Sequence, residues 1–175
     1  MVVWIIGLSG TGKTTLANLL VQRMRNAGKK VVLLDGDLIR ELFANDVDHT
    51  IEGRRRNAER LSFLSSYLAK QDVHVVAAVL SIFPEWRQWN CDNIDDYCEV
   101  YLKASLETLQ RRDIKNLYKR ALAGEIPNVV GVDIPFPEPE NPDLVLENDT
   151  DRDNFDDLIE SILKTDAVHR AMQGK

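Results

Sequence analysis

The sequence predicts an α/β fold in three layers, with helices on both faces of a central, mostly parallel five-stranded sheet. Short apolar runs alternate along the chain with longer segments of helical period, the order expected of repeated strand and helix units. The apolar runs are rich in Val, Ile and Leu, as strands are when both faces of a sheet are covered. The chain has 175 residues, 44% of them hydrophobic, so we expect residues 1–175 to form a single domain with a sizeable core.

Each predicted element follows from a local pattern. The apolar runs predict five strands, at Val2–Ile6, Val31–Leu34, Val73–Val79, Cys98–Leu102 and Leu144–Leu146. Helical spacing predicts helices at Lys13–Asn26, Arg56–Lys70 and Leu106–Ala123, and a last one that contains Phe155, Leu158, Ile159 and Ile162. Four of the six prolines lie within residues 135–142, so this segment is predicted to be an extended loop.

Composition excludes several classes of protein. The chain carries 22 Lys and Arg against 28 Asp and Glu, a formal charge of −6, which is the wrong sign for non-specific binding to a nucleic-acid backbone. Its two cysteines are too few for a disulfide framework, which favours a reducing, cytoplasmic compartment. The start of the chain has no basic segment and no apolar run long enough for export or membrane insertion. We therefore expect a small-molecule ligand, no nucleic acid and no membrane.

The strongest motif lies between the first strand and the first helix. Residues 7–14 read Gly-Leu-Ser-Gly-Thr-Gly-Lys-Thr, which matches G-x-x-x-x-G-K-[ST] at every fixed position. In such a loop the backbone N–H groups point at a phosphate, and the following helix adds the positive end of its dipole. Lys13 is then expected to reach the β and γ phosphates, and the Thr14 hydroxyl to bind Mg²⁺. This predicts a P-loop NTPase fold that binds ATP or GTP.

Two carboxylates follow the second strand. Asp35 and Asp37 lie at its carboxyl end, where ligands bind in open α/β sheets, and Arg40 follows. A phosphoryl acceptor must lose its proton as the bond to phosphorus forms, so we predict that Asp37 is the base and that the other carboxylate serves a metal. The alternative is a plain Asp-Gly turn with solvated side chains.

A basic cluster opens the next helix. Arg54, Arg55 and Arg56 precede Asn57, and three cations at a helix start are unfavourable for the helix dipole unless an anion binds there. This favours an anionic acceptor, although a solvated basic face is the alternative. Ser81 ends the third strand, where many P-loop proteins carry a magnesium-binding Asp, and is a further candidate for the acceptor site.

A second basic segment follows the fourth strand. Residues 111–120 are strongly basic within an acidic protein, and we predict that residues 111–131 form a lid. Cationic side chains that close over the transferring phosphoryl group would neutralise its charge and exclude water. A solvated helix face is again the alternative.

Together these segments resemble the adenylylsulfate kinase (APS kinase) family, whose members use ATP to phosphorylate the ribose 3′-hydroxyl of adenosine 5′-phosphosulfate. Residues 7–15 resemble the family's GLSGxGKST, and residues 34–40 its LDGDxxR. Arg54 and Asn57 are similar to its DRxxN, and residues 112–121 to its RDPKGLYKKA. The resemblance covers almost the whole chain, but we expect no counterpart of the family's usual segment before the first strand.

The resemblance implies roles for individual residues. It implies that ATP is bound by Gly7, Ser9, Gly10, Thr11, Gly12, Lys13, Thr14, Thr15 and Arg112. It implies catalytic roles for Asp37, Lys13 and Lys115, with Thr14 as the Mg²⁺ ligand. It implies that the nucleotide acceptor is bound by Asp35, Arg40, His49, Arg54, Asn57, Leu80, Ser81, Lys115 and Val129. The family also tends to dimerise, so a homodimer is expected.

The residues around the acceptor base depart from the family. His49 and Val129 occupy the two positions where the family has a Phe that stacks on adenine, and the family's SPYR reads Ser-Ile-Phe-Pro from Ser81. The catalytic half is retained, so the alternative acceptor is cytidine diphosphoramidate, which a related kinase phosphorylates during assembly of capsule phosphoramidate groups. An alternative of another class is a non-catalytic nucleotide-binding module, against which the retention of Lys13, Thr14 and Asp37 argues.

Overall fold

The structure, a computed structural model, describes residues 1–113 and 116–174. Within these ranges the apolar runs form a sheet of five strands: β1 (Val2–Ile6), β2 (Val31–Asp35), β3 (His74–Val79), β4 (Tyr97–Lys103) and β5 (Leu144–Glu147). Their spatial order is β2-β3-β1-β4-β5, and every neighbouring pair is parallel. The predicted α/β sheet is confirmed, and it is all parallel rather than mostly so.

Eight helices connect and flank these strands in the described residues. They are α1 (Lys13–Asn26), α2 (Gly36–Leu42), α3 (Ile51–Ala69), α4 (Pro84–Asn93), α5 (Leu106–Arg112), α6 (Leu117–Leu122), α7 (Asp156–Leu163) and α8 (Asp166–Gln173). None of them is both long enough and apolar enough to span a lipid bilayer.

Strand β1 shows how the three layers form. Successive side chains of a strand point to opposite faces of the sheet, and Val3 and Ile5 pack with α1, α7 and α8 on one face. Val2, Trp4 and Ile6 pack with α2 and α3 on the other face. All five residues of β1 are buried because helices cover both faces.

The helix predicted at Leu106–Ala123 is wrong as one element. The chain forms α5 and α6 instead, and Asp113 and Asn116 between them leave the helical conformation, Asn116 with φ 51°. The Asp113 carboxylate accepts hydrogen bonds from the backbone N–H groups of Leu117 (2.7 Å) and Lys119 (3.0 Å). Local capping by this side chain starts a second helix within the segment predicted as one.

Helix α3 begins before its predicted start at Arg56. Thr50 caps it by accepting a hydrogen bond from the Gly53 N–H at 3.1 Å, so the arginine cluster lies inside the first turns of the helix. Helices α2, α4 and α8 were not predicted. Helix α2 has 7 residues, so it offers few turns in which a helical period can be detected.

Candidate active site

A cleft of about 680 Å³ opens at the carboxyl ends of the strands. Its walls come from the loop before α1, from the start of α2, from α3, from the segment after β3, and from α5 and α6. Parallel sheets place their ligand sites at this edge because the loops that follow the strands converge there. The cleft therefore lies where the sequence predicts both halves of the site.

The conformation of the loop before α1 requires glycine at two positions. Gly12 caps α1 with φ 94°, a left-handed conformation that favours glycine. A Cβ at Gly7 would collide with the Leu102 carbonyl oxygen, so only glycine fits beside β4. Thr11 is buried, and its hydroxyl donates to the Leu8 carbonyl at 3.0 Å. Gly7 and Thr11 thus shape the loop from beneath, whereas Ser9, Gly10, Gly12, Lys13, Thr14 and Thr15 line the cleft.

Lys13 reaches back over this loop. Its ammonium group donates to the Leu8 carbonyl oxygen at 2.7 Å. Burial lowers the pKa of Lys13 to about 8, against the opposing effect of the Asp35 and Asp37 carboxylates. A cation that is costly to desolvate gains most from an anionic ligand, which fits the predicted role of Lys13 toward phosphates.

Thr14 and Asp35 join the two halves of the cleft. The Thr14 hydroxyl, in the first turn of α1, donates to Oδ2 of Asp35, the last residue of β2, at 2.7 Å. The other oxygen, Asp35 Oδ1, caps α2 by accepting from the N–H groups of Asp37 (2.9 Å) and Leu38 (3.4 Å). Asp35 therefore combines the structural role of a helix cap with a carboxylate oxygen beside Thr14.

Asp37 faces the cleft with a largely exposed side chain. Its Oδ1 lies 3.4 Å from Nη1 of Arg40, and the Asp37 side chain is 70% exposed. Arg40 is buried and also donates to the Gly36 carbonyl at 3.2 Å. Arg40 thus holds Asp37 on one side and leaves its carboxylate accessible to a ligand.

Two buried polar atoms in this wall lack partners among the described residues. They are Nε of Arg40 and Oδ1 of Asn57, whose Nδ2 donates to the Gly36 carbonyl at 3.1 Å. Buried polar groups are almost always hydrogen-bonded, so these atoms fit a site that a polar ligand completes. Burial also lowers the pKa of the Arg40 guanidinium, which is the cost of holding this cation in the wall.

Arg54 lies in the same wall. Its Nε donates to the His49 carbonyl and its Nη2 to the Asn128 carbonyl, both at 2.8 Å. Burial lowers the pKa of Arg54, and the nearby charge of Arg40 lowers it further. Two desolvated cations side by side favour an anionic ligand between them. Ser81 and Leu80 line the cleft beside them, at the end of β3.

His49 and Val129 are not among the residues that line the cleft. The pKa of His49 is lowered, first by burial and then by the charges of Arg40 and Arg54. Val129 is buried in an apolar cluster with Ala104, Leu109 and Tyr118. Acceptor binding by these two residues stays a prediction from the resemblance, and so does the role of Lys115, which lies outside the described residues.

The predicted lid is joined to the loop before α1. Arg112 lines the cleft and donates to the carbonyl oxygens of Asn148 (2.7 Å) and Thr150 (2.6 Å). The Tyr118 hydroxyl donates to the Ser9 carbonyl at 2.8 Å. Whether residues 111–131 close over a ligand stays a prediction.

Sequence reasoning missed two residues that support the phosphate loop. Tyr118 is one, and Asn148 is the other: its buried side chain donates from Nδ2 to the Thr11 carbonyl at 2.8 Å. Asn148 follows β5 directly, so the rule that polar residues at carboxyl ends of parallel strands belong to the site could have found it. Tyr118 lies within residues 112–121, which resemble the family's RDPKGLYKKA, but that resemblance gave it no role.

Comparison with known proteins identifies the family. The sequence model of the family described as "Adenylylsulphate kinase" matches residues 1–147. The chain belongs to the adenylylsulphate kinase family. It is 41% identical over 162 residues to the adenylyl-sulfate kinase of Deinococcus deserti, covering 93% of this chain and 88% of that protein. It is 38% identical over 162 residues to the adenylyl-sulfate kinase of a Picosynechococcus species, covering 93% and 90%.

A solved structure extends the likeness to three dimensions. The APS kinase of Mycobacterium tuberculosis, in complex with AMPPNP and APS, superimposes with a TM-score of 0.85 at 32% identity. The match covers 94% of this chain and 95% of that one. The resemblance inferred from the motifs is confirmed, together with the P-loop fold and membership of a family of ATP-dependent kinases.

Proposed function

We propose that the protein is an ATP-dependent kinase that transfers the γ-phosphoryl group to the ribose 3′-hydroxyl of adenylylsulfate, giving 3′-phosphoadenylylsulfate. One observation carries the proposal: a single cleft is lined on one side by the phosphate loop and on the other by Asp37, Arg40, Arg54 and Asn57. A donor phosphate and an anionic acceptor can therefore meet in the same cavity. Such an activity fits sulfate assimilation.

The phosphate loop serves the donor. Backbone N–H groups of the loop and the positive end of the α1 dipole bind the phosphates, and Lys13 reaches them from the side. Positioning accounts for much of the catalysis, because a loose transition state for phosphoryl transfer demands little covalent chemistry from the protein. Arg112 extends the donor half toward the loop that follows β5.

The opposite wall serves the acceptor. Asp37 takes the proton of the 3′-hydroxyl as its oxygen bonds to the γ phosphorus, and the bond from that phosphorus to the bridging oxygen of ADP breaks. The exposed carboxylate of Asp37 is free to do this because Arg40 contacts only one of its sides. Arg40 and Arg54 balance the negative charge of the acceptor.

The donor set at the head of α1 suits Mg²⁺. The Thr14 hydroxyl and the Asp35 carboxylate present oxygen atoms 2.7 Å apart, and oxygen is the ligand that Mg²⁺ prefers. When bound, Mg²⁺ supplies charge that neutralises the phosphates. Thr14 and Asp35 would hold it from the protein side.

The acceptor is tested by direct comparison. The purified protein is incubated with ATP and Mg²⁺ and with adenylylsulfate or cytidine diphosphoramidate, and ADP and the 3′-phosphorylated product are measured by mass spectrometry. Product from adenylylsulfate supports the proposal. Product from cytidine diphosphoramidate alone overturns the choice of acceptor. Tight ATP binding without ADP release from either acceptor would favour the non-catalytic module.

Cytidine diphosphoramidate stays the second candidate acceptor because of His49 and Val129, which occupy the two positions where the family has a stacking Phe. Val129 is buried in the apolar cluster with Ala104, Leu109 and Tyr118, and His49 is not among the lining residues, so neither supplies a stacking ring to the cleft. Phe83 and Trp4 are aromatic residues that do line it. A smaller pyrimidine needs less stacking surface than adenine does, which favours this candidate.

We further propose that the protein forms a homodimer in the cytoplasm. The exposed ring of Phe63 contacts the half-buried rings of Trp86 and Trp89 edge to face across α3 and α4, and this partly exposed aromatic cluster is the surface we propose for association. Cys91 and Cys98 are both free thiols, in keeping with a reducing compartment. Sedimentation velocity of the wild-type protein tests the dimer.

A further inference from the structure

The acceptor end of the cleft contains a residue in an unusual conformation. Ser81 follows β3, lines the cleft and has φ 54°, in the left-handed region that residues with a Cβ rarely adopt. Single residues held in this region cluster at ligand sites, where the surrounding structure keeps them in place.

Two side chains hold it. The indole Nε1 of Trp4 donates to Ser81 Oγ at 3.0 Å, and Nη1 of Arg87 donates to the Ser81 carbonyl at 3.0 Å. The same Arg87 nitrogen also donates to the Pro137 carbonyl at 3.1 Å. Trp4 is 1% exposed and Arg87 8%, so both anchors are fixed by their surroundings. They come from β1 and α4 and clamp Ser81 at both its side chain and its backbone.

The contact with Trp4 also determines whether the Ser81 hydroxyl donates or accepts in this hydrogen bond. An indole N–H can only donate, so Ser81 Oγ must be the acceptor in this hydrogen bond. The hydroxyl proton of Ser81 must then point elsewhere, and no described residue accepts it. Because Ser81 lines the cleft, that proton is available to a ligand there.

We infer that Trp4 is a positioning residue that makes the Ser81 hydroxyl a hydrogen-bond donor to the acceptor nucleotide. The inference rests on the proposed function, since it takes this end of the cleft as the acceptor site. The Ser81 hydroxyl then donates to an acceptor atom of that nucleotide, such as an oxygen or a ring nitrogen. Trp4 acts through Ser81, while Ser81 makes the contact.

A double-mutant cycle tests this coupling. Trp4→Phe keeps an aromatic ring and removes the N–H, Ser81→Ala removes the hydroxyl, and the third protein combines both changes. Each single variant is expected to raise KM for adenylylsulfate about fivefold to tenfold, the range of one net hydrogen bond. KM for ATP and kcat should stay within about twofold, and the double variant should match Ser81→Ala because the two residues act as one unit. Trp89→Phe is the matched control, with KM unchanged.

Opposite results separate the inference from the proposed function. A wild-type protein that turns over no adenylylsulfate contradicts the proposed function itself. An active wild type with unchanged KM in Trp4→Phe, additive effects in the double variant, or equal losses toward ATP and adenylylsulfate overturns the role of Trp4 alone.

A spectroscopic measurement keeps the test valid if Trp4→Phe does not fold. The three tryptophans give three indole N–H resonances in a ¹⁵N correlation spectrum, and those of Trp86 and Trp89 are assigned with their Phe variants. The Trp4 resonance should move on addition of adenylylsulfate to the wild type and not in Ser81→Ala. A Trp4 resonance that responds equally in both proteins would overturn the inference.

Discussion

The Thr14 hydroxyl donates a hydrogen bond to Asp35 Oδ2 at 2.7 Å, so the head of α1 and the start of α2 share one carboxylate. The other oxygen of that carboxylate caps α2 through the N–H groups of Asp37 and Leu38. Asp37, the proposed base, therefore lies in the first turn of α2, and that turn is capped by Asp35, the hydrogen-bond partner of Thr14. Stability and activity should be linked at Asp35.

Replacing Asp35 tests this link. Asp35→Ala removes both the cap and the partner of Thr14, and should lower the free energy of unfolding by about 1 to 2 kcal/mol, the usual cost of a lost cap. Asp35→Asn keeps a capping oxygen and should cost less than half as much. Urea denaturation measures both variants. Equal loss in the two would show that the charge at Asp35, rather than the cap, stabilises the fold.

The pKa of Lys13 predicts proton uptake on ATP binding. Burial lowers this pKa to about 8, so in the protein without nucleotide Lys13 loses its charge as the pH rises through 8. Bound phosphates favour the charged amine and raise its pKa, so binding at about pH 8.5 to 9 must take up a proton, and affinity must fall as pH rises through this range. Calorimetry in two buffers of different ionisation enthalpy measures the uptake.

Lys13→Arg is the control for that experiment, because a guanidinium stays protonated throughout the range. The variant should show weaker uptake, or none, above pH 8. Uptake of the same size in wild type and variant would mean that another group titrates on binding.

Asp37→Asn should separate binding from chemistry. A general base contributes about 10²-fold to 10⁴-fold to the rate, so kcat with adenylylsulfate should fall by about that factor. ATP affinity should change little, because the side chain of Asp37 faces the acceptor wall beside Arg40. Steady-state kinetics and calorimetric ATP binding give the two quantities. Undiminished turnover would remove Asp37 from the role of base.

The phosphate loop and the sheet could be predicted from the sequence because each depends on near neighbours. Glycine positions, a lysine and a hydroxyl at fixed spacing define the loop, and apolar runs define strands covered on both faces. The break between α5 and α6 was not predictable from periodicity, because a single capping carboxylate at Asp113 decides it. Short helices such as α2 offer too few turns for a period to be read.

The parts of the site that escaped the sequence depend on contacts between distant residues. The strand pattern predicts that Trp4 is buried, but not that its indole N–H reaches Ser81, which is 77 residues away in the chain. Counting from the motifs assigns His49 and Val129 to the acceptor site, yet the direction of a side chain is set by packing. Val129 turns into an apolar cluster that forms only when the segment after α6 folds against α5.

Two arginines of the basic cluster should differ in their effects. Arg54 lines the cleft and is held by the carbonyl oxygens of His49 and Asn128, whereas Arg56, two residues further along α3, is exposed. Arg54→Ala should raise KM for adenylylsulfate about tenfold to a hundredfold, the range of a charged hydrogen bond. Arg56→Ala should stay within about twofold. A similar rise in KM for both variants would indicate that the cluster acts through its overall charge. Raised salt would then weaken binding of the acceptor to the wild type as well.

The Tyr118 hydroxyl donates a hydrogen bond to the Ser9 carbonyl at 2.8 Å and so connects α6 to the phosphate loop. Tyr118 is 1% exposed, and burial raises its pKa to about 12, so the hydroxyl stays protonated and able to donate. Tyr118→Phe removes only this oxygen and should lower the free energy of unfolding by about 1 kcal/mol. It should also weaken ATP binding about threefold to tenfold, because the carbonyl of Ser9 loses the donor that fixes the loop. Thermal unfolding and ATP titration measure the two effects, with Tyr67→Phe, at a side chain 64% exposed, as the matched control. If Tyr118→Phe loses stability but binds ATP as the wild type does, the contact stabilises α6 without shaping the phosphate site.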